Sequence, residues 1–173
     1  IDVYNIIING VVFSLSVFLL LNFDTRSSDF QFVEILKWIP SLNINYYLGV
    51  DGISTLLILL NTIIFLIVAF YNSTLNLKKR NQYYASFLIA SGLTIGVFSA
   101  LDAMLFYIFF EALLIPMFII IGVWGGPNRI YAAIKFFIYT FLGSVLLLIS
   151  FLYINSSISS FSVLSFYEAS FSL

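Results

Sequence analysis

Apolar residues run along this chain in blocks as long as a membrane crossing, separated by short polar breaks. A helix needs about 20 apolar residues to span a hydrocarbon core about 30 Å thick. Residues 3–21 supply one block. Residues 53–71 supply a second, opened by Asp51-Gly52-Ile53-Ser54, in which Asp51 or Ser54 caps the first turn. The block 83–122 is too long for one crossing and must fold back, and Ser99-Ala100-Leu101-Asp102 is its polar break. Residues 130–154 form the last. The pattern predicts an all-α polytopic membrane fold with about five transmembrane helices at 3–21, 53–71, 83–100, 103–122 and 130–154. Residues 1–173 then form a single transmembrane region. The longest connection, 22–50, holds Trp38, Pro40, Tyr46 and Tyr47, and aromatic residues of this kind settle at the membrane–water interface. The first block follows Asp2 rather than a positively charged start, so it reads as a permanent span and not as a cleaved signal.

Charge gives the crossings a direction. The loops 72–82 and 123–129 share one side and carry Lys78, Lys79, Arg80 and Arg129. The connection on the other side sets Arg26 and Lys37 against Asp24, Asp29, Glu34 and Asp51. Cytoplasmic or matrix loops are enriched in Lys and Arg, so the first pair of loops is expected there, with the N-terminus. The C-terminal tail is expected opposite. The triplet Lys78-Lys79-Arg80 reads most simply as this topology signal.

Composition narrows the function. Hydrophobic residues make up 62% of the chain and charged residues 9%, against roughly a quarter charged in soluble domains. A net charge of −1 leaves no electrostatic footprint for nucleic acid. With no cysteine and no histidine, the chain lacks the usual ligands for zinc, haem and iron–sulfur clusters. No cofactor is expected to be bound by this chain.

Two ionisable residues within the spans then need a reason. Glu111 falls near the middle of 103–122, about 12 Å from one end and about 16 Å from the other. An acid at that depth costs at least about 2.5–3.5 kcal/mol on insertion scales, and such residues face bundle interiors and mark ion pathways. Burial favours the protonated form of a carboxyl and a nearby cation the ionised form, so a carboxyl poised between the two can load and release a proton. The alternative is a protonated structural acid in a helix interface. Lys135 lies about 9 Å along its helix from Arg129, with Tyr131 and Tyr139 on its face. A proton-path or charge-partner role stands beside simple snorkelling to the basic surface. A direct ion pair with Glu111 is not expected, because their depths differ by roughly 10 Å.

Other motifs carry less. Trp124-Gly125-Gly126-Pro127 lacks the spacing of a phosphate loop and reads as an interfacial turn. Gly92, Gly96 and Ala100 form a small-residue face suited to close helix packing. Asp102 is expected to be solvated or to cap a helix. Pro116 frees a backbone carbonyl in the helix of Glu111.

Phe110-Glu111-Ala112-Leu113-Leu114-Ile115-Pro116-Met117, continuing through Ile121-Gly122-Val123-Trp124-Gly125 to Arg129, resembles NADH dehydrogenase subunit 4, the antiporter-like membrane subunit of respiratory complex I. So do Ala133-Ile134-Lys135-Phe136-Phe137-Ile138-Tyr139-Thr140 with Gly143-Ser144, and Tyr47-Leu48-Gly49-Val50-Asp51-Gly52-Ile53-Ser54. Phe30 to Glu34 and Lys37 to Pro40 fit the connection between. The motif around Glu111 favours subunit 4 over subunits 2 and 5.

The resemblance implies a proton-translocating subunit of NADH:ubiquinone oxidoreductase, itself without redox groups, in the mitochondrial inner membrane. The basic loops would lie in the matrix. NADH, FMN, iron–sulfur clusters and ubiquinone would belong to other subunits. Glu111 matches the family's proton-channel glutamate, while the lysine that partners it lies on a later helix outside these residues. Lys135 is therefore not given that part. A full family member is about three times longer, and this chain matches a stretch from its second helix to before its seventh. The resemblance thus implies a split subunit or a partial sequence. The expected partners are a chain carrying the remaining helices, the neighbouring antiporter-like subunits 2 and 5, other complex I subunits and membrane lipids. The rival within the same architecture is an Mrp-type monovalent cation/proton antiporter subunit.

Overall fold

In the computed structural model, residues 2–27, 29–75 and 78–168 are described. Five long helices dominate: α1 (Asp2–Leu21), α2 (Gly52–Ser73), α3 (Arg80–Ser99), α4 (Ala103–Trp124) and α5 (Arg129–Ile158). A short α6 (Val163–Glu168) follows. Each long helix packs on the next in sequence; from α2 onward short connections between antiparallel neighbours require it. The polytopic helical bundle expected from the apolar blocks is the observed architecture. Helices α1, α2, α4 and α5 are each long and apolar enough to cross a membrane.

The third helix has the length but is more polar, and its place explains how it is tolerated. It packs between α2 and α4, and Ser86 and Ser91 are buried there. In a hydrocarbon medium such groups need protein partners rather than lipid. Asn61 of α2 donates to the Ser91 carbonyl at 3.5 Å. Ser16 of α1 and Thr62 of α2 share a buried hydrogen bond of 2.7 Å. Of the small-residue face, Gly96 meets the Phe109 ring, which a β-carbon would approach to 2.9 Å, whereas Gly92 faces open space.

Helix ends are set by local chemistry. Asp51 and Ser54 form a reciprocal capping box on α2: the Ser54 amide donates to the Asp51 carboxylate at 2.7 Å, and the Asp51 amide to the Ser54 hydroxyl at 2.8 Å. The Ser54 amide is the main influence holding the Asp51 carboxyl below its ordinary range. At the other end of the bundle Arg80 pairs with Asp2 at 2.6 Å, and Tyr84 donates to the same carboxylate at 2.9 Å. These contacts place the start of α1 beside the start of α3, on the side of the basic loops.

The connection between α1 and α2 is more ordered than an interfacial coil. It contains an antiparallel hairpin, β1 (Gln31–Ile39) with β2 (Ile44–Val50), closed by a 3-10 turn at Pro40–Leu42. Asn43 adopts a left-handed conformation at the turn, which asparagine tolerates better than most residues. β2 seats the hairpin on the bundle: the Leu101 amide donates to the Tyr47 carbonyl at 2.8 Å. The pattern Gln31-Phe-Val-Glu-Ile-Leu-Lys-Trp-Ile39 is rich in β-branched and aromatic residues and was the signal for it.

The turn from α4 to α5 depends on a glycine. A β-carbon on Gly125 would collide with the Ile121 carbonyl oxygen and come within 2.9 Å of the Arg129 β-carbon. The first of these is backbone and cannot swing aside. Gly125→Ala is expected to destabilise the hairpin of α4 and α5 by about 1–3 kcal/mol, read as a lower melting temperature of the purified protein.

Candidate intramembrane acid site

The site is built from the start of α4 inward. Asp102 caps that helix, accepting from the Met104 amide at 2.9 Å and the Leu105 amide at 3.1 Å. Its second oxygen accepts from the Asn45 amide of β2 at 3.2 Å. Of the two expectations for this residue, capping is the one observed; it is only 1% exposed, not solvated, because the hairpin and the segment at Phe161 cover it. The Ala103 amide donates to the Phe161 carbonyl at 2.8 Å. Burial, the larger influence, raises the Asp102 carboxyl above its ordinary value, while the Asn45, Leu105 and Met104 amides oppose it.

Glu111 lies about 12 Å along the helix from Ala103 and about 20 Å from Trp124. The helix continues unbroken through Pro116. The Glu111 side chain is half-buried, yet its Oε2 is enclosed and has no hydrogen-bond partner among the described residues. Buried carboxyl oxygens are normally partnered, so an orphaned one at mid-depth stands out.

Two contacts set the register of α4 against α5. The Phe118 and Phe137 rings lie 5.7 Å apart, edge to face. A β-carbon on Gly122 would sit 3.6 Å from that of Ala133. A step of four residues along α4 is thus answered by four residues back along α5. Carried about two turns further, the register sets Glu111 level with Ser144, which is 2% exposed.

Lys135 is on the same helix pair but elsewhere. Its side chain is exposed, with Nζ 5.8 Å from the ring centroids of both Tyr131 and Tyr139, within cation–π range. By the register it stands about nine residues from the level of Glu111, or about 13 Å along the axis. The structure therefore does not bring Lys135 to Glu111. An apolar cavity of about 320 Å³ lies among α1, the hairpin, α2 and α3, with Ser16, Thr62 and Glu34 on its wall. Glu111 is not among its lining residues. Neither the burial of Asp102 nor the place of Ser144 level with Glu111 is legible in the sequence. Only the packing reveals either.

Antiparallel helices packed in sequence, with an acid at mid-depth of α4, define a polytopic helical membrane protein. Residues 100–171 match the family described as NADH:quinone oxidoreductase/Mrp antiporter, transmembrane. NADH-quinone oxidoreductase subunit M of Rickettsia prowazekii is 41% identical over 169 residues, covering 96% of this chain and 34% of the relative. NADH-ubiquinone oxidoreductase chain 4 of Arabidopsis thaliana is 47% identical over 145 residues, covering 83% and 29%. A chain from the structure titled "Respiratory complex I from Thermus thermophilus with bound NADH" has the same fold, with a TM-score of 0.84 over 95% of this chain and 34% of that one, at 24% identity. Over nearly its whole length the chain is thus similar to one stretch of the subunit M and chain 4 sequences. The chain spans about a third of the length of the relatives.

Proposed function

We propose that this chain is part of a proton-translocating membrane subunit of NADH:quinone oxidoreductase, and that Glu111 is a proton-carrying group of its channel. The observation that carries this is the enclosed Oε2 of Glu111, unpartnered among the described residues, in a helix apolar enough to cross a membrane. Keeping an acid there is costly, and a proton shuttling on and off it gives that cost a use. The relatives named subunit M and chain 4 favour the oxidoreductase over an antiporter working alone.

In this reading electrons pass from NADH through flavin and iron–sulfur groups to ubiquinone in other subunits. Approach or withdrawal of a cation shifts Glu111 between its two states. Helices outside these 173 residues complete the channel, beside the neighbouring antiporter-like subunits. The basic loops face the mitochondrial matrix, and Lys135, between its two tyrosines, belongs to the proton path or serves as a charge partner on that side.

The test is NADH-driven proton uptake by the intact complex in vesicles, read with a pH dye. Glu111→Gln is expected to lower the protons moved per electron while the complex still assembles. An unchanged ratio would sink the reading.

A further inference from the structure

The register of α4 and α5 carries one step more. Glu111, Phe118 and Gly122 recur at intervals of seven and four, so they share one face of α4. Phe118 and Gly122 meet Phe137 and Ala133 of α5. On α5, Ser144 stands in the same relation to Phe137 as Glu111 does to Phe118. Glu111 and Ser144 are thus the facing pair of that seam, about two turns from the aromatic pair. Ala133 and Ser144 are the two buried residues of α5. The Ser144 hydroxyl donates to the Phe141 carbonyl in its own helix at 2.9 Å, a bond a serine exchanges by rotating about one torsion. Across the seam, Oε2 of Glu111 is enclosed and lacks a donor among the described residues.

We propose that Ser144 is the positioning residue for Glu111: its hydroxyl turns from the Phe141 carbonyl to the Glu111 carboxylate when that group is ionised, and turns back when it is protonated. The proton itself moves on and off Glu111, and no bond to Ser144 is made or broken beyond these hydrogen bonds. The serine holds the ionised carboxylate against the seam and sets the pH at which it reloads. This rests on the reading of Glu111 as a proton carrier.

The test uses the intact complex in vesicles and the pH profile of proton translocation per assembled complex. A hydrogen bond to a charged group favours the ionised form by an amount equivalent to about one pH unit. Ser144→Ala is therefore expected to move the half-maximal pH upward by about one unit. Ser144→Thr, which keeps a hydroxyl on the same carbon, restores the original profile. In a Glu111→Gln background, Ser144→Ala has no further effect. Should Ser144→Ala lower the yield of complex, Ser144→Cys, close in volume and a weaker donor, reads the same shift. A Ser144→Ala profile superimposed on the wild type, with translocation lowered by Glu111→Gln, would overturn the role of Ser144 alone. Normal translocation by Glu111→Gln would instead remove the reading beneath it.

Discussion

Asp102→Ala is expected to loosen the junction of the hairpin, α4 and the segment after α5, at a cost of about 2–4 kcal/mol. Three amides lose their acceptor at once: Met104 and Leu105 at the cap, and Asn45 in β2. Loss of an N-cap side chain costs about 0.5–2 kcal/mol, and an orphaned buried donor about 1–3 kcal/mol. Asp102 is 1% exposed, so little water is at hand to replace it. Asp102→Asn keeps an oxygen for the cap but sets an amide against the Asn45 N–H, and a smaller loss is expected. Hydrogen exchange in the peptides around Asn45 and Met104 measures both, and unchanged protection in the alanine variant would contradict the account.

The same carboxyl links stability to pH. Burial makes the folded state bind a proton more readily than the unfolded chain does. Its contribution is therefore complete below the ordinary aspartate value of 3.8 and is lost as pH rises through the higher folded-state value. The sign is the reverse of that for Asp51, whose lowered value makes its contribution present at neutral pH and lost on acidification. Asp102→Asn removes the first slope and leaves the second, as unfolding scans across acidic pH check.

Glu111→Gln is expected to abolish proton flow through this unit, by about a hundred-fold or more, without loss of the assembled complex. Glutamine matches the shape and hydrogen-bonding reach of glutamate but has no titrating proton, and removing a positioned proton-transfer group costs typically 10²–10⁴-fold. Glu111→Asp keeps the titration but withdraws the carboxyl by about one methylene, so partial flow is expected. Glu111→Leu separates function from structure. It removes an insertion cost of about 2.5–3.5 kcal/mol, so a proton-carrying role predicts an assembled but inactive unit. A purely structural acid predicts loss of the complex with leucine and normal translocation with glutamine.

Much of this was readable from residues alone. The apolar blocks, the break at Ser99–Asp102, the capping signal at Asp51 and the isolated depth of Glu111 follow from periodicity and the energetics of hydrocarbon, which act on each segment independently of its neighbours. The hairpin was not read: its strands lie in a connection whose aromatic residues suit an interface equally well, and strand pairing is a contact between distant residues. Asp102 looked like any acid at a turn until the hairpin and Phe161 closed over it. Ser144 is one of many serines in the chain, distinguished only by what faces it.

By itself the amino-acid order determined that the chain enters the membrane, roughly where its helices run, which loops are basic and which acid lies deep. Those outcomes depend on transfer free energies and helix geometry, both local in the chain. Tertiary structure alone decided which polar groups are sealed from water, which face of α4 meets α5, and which residue of α5 stands level with Glu111. These depend on helix register, set jointly by side-chain volumes on two surfaces that no single segment specifies.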